Sequence, residues 1–151
     1  MIAMILALAV ATSPALAQSG LEPFSHLVGR CFSGDAPGGA GVDKHCFESV
    51  YGGQHVRDRH AVTAGGKEVY AGETLYSVEN GKIAFVYWNS LGGIGRGSAV
   101  PAGSQINFSG TIHATPTGKE QDFATVWRKA GDGYEVIDEG SPKARPFRPA
   151  D

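Results

Sequence analysis

"LVGRCFSGDAPGGAGVDKHCFESV", residues 27–50, carries the only two cysteines of the 151-residue chain, one on each arm of what reads as a hairpin. Its centre, Gly34-Asp35-Ala36-Pro37-Gly38-Gly39, is dense in residues that reverse a backbone. Proline presets φ, glycine supplies positive φ and aspartate can bond to its own main chain. Short apolar stretches flank that centre at 27–33 and 44–51, as strands would. Folding the segment about its midpoint sets Cys31 opposite Cys46, and directly opposed residues of an antiparallel pair bring their Cβ atoms close enough for a bridge. Closing a loop of about 15 residues contributes roughly 3 kcal/mol on the chain-entropy view. The competing reading is two buried thiols acting as small apolar side chains. Two cysteines without a histidine pair at ligand spacing leave a tetrahedral ion short of partners, so the sequence offers no metal site, and it contains no cofactor motif.

Outward from this hairpin the same grammar repeats. Apolar or alternating runs recur at 54–63, 67–78, 82–90, 94–100, 104–114, 120–129 and 133–138, separated by Gly, Pro and Asn signals. Asn80-Gly81 is the strongest turn, because both central positions of a type I′ turn need positive φ. Gly93, Gly95 and Gly97 alternate along one face, the pattern of a sharply bent strand. Strands of this number and spacing predict an all-β antiparallel up-and-down barrel of about 8–10 strands, since closure removes the edges. Leu21, Phe24 and Leu27, three apart, predict a short helical turn before the first strand.

The first residues, "MIAMILALAVATSPALAQ", combine an apolar run with Ala15-Leu16-Ala17 before Gln18, the pattern of an export signal, although no Lys or Arg precedes Arg30. The run is about half the roughly 20 residues a membrane-spanning helix needs, so no membrane anchor is expected after cleavage. The expected organisation is a signal peptide at 1–17, a barrel domain at 18–140 and a flexible, proline-rich tail at 141–151. Export implies a periplasmic or secreted location, where paired cysteines oxidise. With 13 Lys plus Arg against 15 Asp plus Glu, and the basic residues scattered, nucleic acid is excluded as a partner. Oligomeric state is left open.

The set "FSHLVGRCFSG", "HCFESVYGG", "VRDRH", "GETLYSV", "FVYWNS" and "TVWRK" resembles the small exported lipocalin-like proteins of bacteria, an uncharacterised family within the calycin group. In calycins the first strand carries Gly-x-Trp, and an arginine near the last strand packs across that tryptophan to close the barrel. The resemblance implies that Gly29 holds the glycine place, Cys31 the tryptophan place, and Arg128 the closing role. It also implies a lumen suited to an apolar ligand, while fixing no activity.

Candidate site residues cluster on "HVRDRHAV", residues 55–62. Alternation puts Val56, Asp58, His60 and Val62 on one face, and the valines mark it as the inner one. Asp58 and His60 would then form a carboxylate–imidazole pair inside the barrel, able to bind a ligand or, in an enzyme, to move a proton. Glu48 shares a face with Cys46 and is expected inside if the disulfide is inside; the alternative is a rim ion pair. Tyr87 and Asn89 share a face of "IAFVYWNS" and could orient a ligand by hydrogen bonds in an otherwise apolar cavity. No Gly-x-Ser-x-Gly elbow or phosphate loop is present. The leading expectation is therefore a non-enzymatic barrel binding a small, largely apolar molecule. The rivals are a lumen enzyme of isomerase, cyclase or decarboxylase type, and a haem binder resembling nitrobindin, which would lack its usual C-terminal histidine because none follows His113.

Overall fold

The structure, a computed structural model, describes residues 20–141 and 143–151. The expected signal peptide lies outside them. Ten strands follow one another: β1 Arg30–Asp35, β2 Val42–Val50, β3 His55–Ala64, β4 Lys67–Glu79, β5 Lys82–Asn89, β6 Ile94–Ala102, β7 Gln105–His113, β8 Glu120–Ala130, β9 Gly133–Asp138 and β10 Arg145–Ala150. Each pairs antiparallel with its sequence neighbours, and β10 closes the ring on β1. The all-β up-and-down barrel is thus the observed fold. Asn80 and Gly81 take φ of 51° and 74°, as the Asn-Gly turn requires.

The tail corrects the sequence reading. Residues Arg145–Ala150 are a strand and the last stave of the barrel, not a flexible appendage. Proline cannot donate to a ladder, and β10 accommodates two by staggering its partners. Pro146 lies opposite Glu135 of β9, whereas Pro149 lies opposite Phe32 of β1. Between them Phe147 is buried and stacks on Tyr134 at 4.9 Å, an apolar anchor that holds the strand in place.

One end of the barrel is filled from outside the sheet. A single 3-10 turn at Glu22–Phe24 carries Leu21 and Phe24 into the opening, Leu27 follows, and all three are buried. Phe24 stacks on Tyr76 with ring centroids 4.4 Å apart. Burying each such side chain is worth about 1.5–3 kcal/mol, so this plug is a substantial part of the core. Gly29, at φ 80°, turns the chain from plug to β1 and donates its N–H to the Phe47 carbonyl.

The calycin closing pattern does not carry over. Cys31 faces outward, so a tryptophan there would not fill the lumen, and Arg128 is half exposed on the outer wall in an ion pair with Glu135. The plug closes the end instead. Around it Phe32, Phe47, Phe85, Phe108, Tyr134 and Phe147 make an aromatic core that leaves the other half of the lumen open.

Candidate functional site

The site is built on the β2–β3 hairpin, where the strict alternation of a strand separates two chemistries. Cys31 and Cys46 are opposed in register and joined by a disulfide on the outer wall, beside Lys44 and Arg59. Because Cys46 points out, its neighbours His45 and Phe47 point in, and so does Asp43. On β3 the inward residues are Val56, Asp58, His60 and Val62, as the alternation predicts. Pairing of the two strands sets His45 directly opposite His60.

Four side chains then form one cluster. His45 Nδ1 lies 2.8 Å from Asp58 Oδ2, and its Nε2 lies 3.3 Å from Asp43 Oδ2. A carboxylate can only accept, so both nitrogens of this ring carry protons and His45 is an imidazolium. Burial would push its pKa down, but Asp58 and Asp43 outweigh burial and raise it to about 10. Burial alone would raise Asp43; hydrogen bonds from His45 and His60 instead hold its carboxyl well below the usual carboxylate range.

His60 continues the chain. Its Nδ1 donates to Asp43 Oδ1 at 3.0 Å, and its Nε2 meets the Tyr87 hydroxyl at 3.1 Å. The Tyr87 and Tyr70 hydroxyls are 2.5 Å apart. Burial, then the Tyr70 hydroxyl, push the Tyr87 phenol far above its ordinary value, so it stays protonated. The rings of His45 and His60 stack with centroids 4.7 Å apart, and each side chain is only 12% exposed. Gly72 of β4 makes this packing possible. It stands opposite His60, and a side chain there would collide with both His60 Nε2 and the Tyr87 hydroxyl.

The expected residues are therefore only partly gathered. Asp58, His60 and Tyr87 converge, although the partner of His60 is Asp43, and Asp58 serves His45. Glu48 is corrected: it faces outward and pairs with Arg57 at 2.8 Å, directly across the β2–β3 ladder. Asn89 shares the inward side of β5 but is spent on its own turn, accepting from the N–H groups of Leu91 and Gly93 and donating to the Ala114 carbonyl. Asp43, His45 and Tyr70 are additions; knowing that the disulfide faces outward would have found the first two. Arg145 is another, reaching over the lumen to Asp138 at 3.0 Å and to the Asp35 carbonyl at 2.9 Å.

Two adjoining compartments fill the open half of the barrel. The larger, about 560 Å³, carries the polar groups of the lumen: the His–Asp cluster, Tyr70, Tyr87 and Arg145 stand in its wall beside Val62, Tyr76, Val136 and Phe147. The apolar one, about 300 Å³, is lined by Tyr76, Phe85, Phe108, Ile112, Phe123 and Trp127. Tyr76, Tyr87, Thr125 and Trp127 belong to both walls. No family model matches the sequence, and no curated protein matches it.

Proposed function

We propose that this chain is an exported barrel that binds a small, largely apolar molecule in its lumen. The apolar body lies against the aromatic wall, and a hydrogen-bonding head meets Tyr87 and His60. The observation that carries the reading is the one-ended polarity of the lumen: an apolar compartment whose few polar groups are gathered on one side. Such a cavity draws affinity from desolvated apolar surface and orientation from its fixed donors and acceptors. The disulfide fits an oxidising compartment, and with it a periplasmic or secreted location.

The two tryptophans provide the test. Trp127 lines the cavity, whereas Trp88 is exposed on the outer wall, so Trp88→Phe leaves Trp127 as the sole reporter. Titrating that variant with cis-parinaric acid, a fluorescent fatty acid, is expected to give saturable energy transfer at one molecule per chain. Gly95→Leu, which builds into the apolar compartment, is expected to abolish it while the barrel stays folded. Energy transfer that does not saturate, or that survives Gly95→Leu, defeats the reading.

A second reading, proton transfer within the lumen, is favoured by the continuous Tyr87–His60–Asp43 chain facing the same cavity. The acid–base pair is then His60 with Asp43, and Tyr87 is the group that polarises a carbonyl oxygen. Solvent deuterium appearing in a bound ketone, and lost in Tyr87→Phe, would support it; no exchange above the buffer rate would dismiss it.

A further inference from the structure

We propose that Asp43, His45 and His60 form a binding site for one divalent transition-metal ion of the zinc class, with a remaining position open to the lumen. One carboxylate and two imidazoles are donors such ions prefer, whereas magnesium and calcium select oxygen alone. The spacing fits as well. Metal–ligand bonds of about 2.0–2.1 Å place tetrahedral donors about 3.3 Å apart. Here Asp43 oxygens lie 3.3 Å from His45 Nε2 and 3.0 Å from His60 Nδ1. One donor atom from each of the three residues falls within 4.8 Å of the others.

The far side of each imidazole is a second, independent observation. His45 Nδ1 is held by Asp58 at 2.8 Å, and His60 Nε2 by the Tyr87 hydroxyl at 3.1 Å. Metal-ligating histidines are oriented in this way, their second nitrogen fixed by a carboxylate or another polar group. Ligands two residues apart on β2 and a third opposite them on β3 also sit on rigid paired strands rather than on loops. Binding replaces the proton on His45 Nε2 with the ion and that proton leaves to solvent, while the His45 Nδ1 proton stays donated to Asp58; His60 ligates through Nδ1 as the neutral ring, its single proton moving to Nε2 beside the Tyr87 hydroxyl. The cluster borders the larger compartment, so water or a ligand heteroatom can complete the coordination. Three protein ligands with one open place is the form of a zinc site that acts on a ligand rather than one that only holds a fold.

The inference needs no apolar ligand, so it is tested without one. The oxidised full chain, stripped with a chelator and dialysed, is titrated with zinc by calorimetry and with cobalt(II) by visible absorption. One equivalent is expected, with the ligand-field bands of low-coordinate cobalt, bleached when zinc is added. Asp58→Asn should weaken zinc by about 10–100-fold through loss of the outer partner. His45→Gln and His60→Gln should weaken it further. His113→Gln, at an exposed histidine paired with Glu120, should change nothing. X-ray absorption at the zinc edge of the unaltered chain should count two imidazole ligands, a readout that needs no variant to fold. No uptake, uptake indifferent to residues 45 and 60, or a coordination shell without imidazole overturns the proposal. Any of these leaves lumen binding of an apolar molecule untouched.

Discussion

Gly72→Ala is the sharpest perturbation of the cluster. The backbone at this position does not require glycine, and an alanine in a strand interior is ordinarily more stable than glycine by about 0.5–1 kcal/mol. Here the added methyl would lie 2.5 Å from His60 Nε2, 2.5 Å from the Tyr87 hydroxyl and 2.6 Å from Tyr87 Cε2. Ordinary contact is about 3.5–4.0 Å between carbons, so His60 and Tyr87 must withdraw by about 1 Å. Their 3.1 Å hydrogen bond does not survive that displacement. The lost bond costs about 0.5–1.5 kcal/mol and the overpacking about 1–3 kcal/mol. Set against the backbone gain, the net expectation is a loss of about 1–3 kcal/mol. Urea denaturation with linear extrapolation measures it, and the ¹⁵N shift of His60 Nε2 reports the hydrogen bond directly. A variant as stable as the parent or more so, with the His60 resonance unmoved, refutes the reasoning, because the propensity gain would then have gone unopposed.

Four further outcomes are expected. Replacing Cys31 and Cys46 together by alanine opens a 15-residue separation and should lower stability by about 3 kcal/mol in urea titration. Gly97→Ala should destabilise by about 1–3 kcal/mol in thermal melts, since its methyl meets the Ser109 and Gly110 backbone and the Phe85 ring; Gly95→Ala, 3.4 Å from its nearest neighbour, should lose nothing and gain up to about 1 kcal/mol. Tyr134→Phe removes a buried hydroxyl that has no hydrogen-bond partner among the described residues, so its melting temperature should hold or rise; a fall would expose a partner. In the metal-free chain, the raised His45 contributes fully below its ordinary 6.5 and fades as pH climbs towards about 10. The depressed Asp43 contributes fully above its ordinary 3.8 and fades as pH falls further. Stability followed by denaturation across pH should therefore peak between these two ordinary values, and a maximum above pH 8 would contradict the assignment.

What could be read from the sequence was local, and what could not was relational. Strand period, the Asn80-Gly81 turn and the Cys31–Cys46 hairpin each depend on neighbours within a few residues, and each was legible. Pro146 and Pro149 concealed β10 because the penalty of a missing N–H depends on whether a partner strand lies on that side, which only the closed ring decides. Glu48 was open between lumen and rim for a single reason: the sequence does not say which face the disulfide takes, and every residue of β2 inherits its side from that choice. Asp58 and His60 were found because they alternate with Val56 and Val62 on one face of β3, which the valines mark as the inner one. Their true partners come from β2, and no spacing within one strand reveals which residue a neighbouring strand brings opposite.

That dependence on register gives the disulfide a role in the site it does not touch. A shift of one residue between β1 and β2 would turn Lys44, Cys46 and Glu48 into the lumen and send Asp43, His45 and Phe47 to the surface. The hydrogen bond from Gly29, at the end of the plug, to the Phe47 carbonyl opposes this shift. The Cys31–Cys46 bond forbids it outright, because sulfurs on opposite faces of the pair cannot meet. Once β2 is pinned with Cys46 outward, its ladder to β3 sets His45 opposite His60 and Glu48 opposite Arg57. An imidazolium between two buried carboxylates is costly to assemble and tolerates no half-formed alternative. A covalent link one residue away, on the opposite face, holds the strand in the one register where every member of that cluster finds its partner.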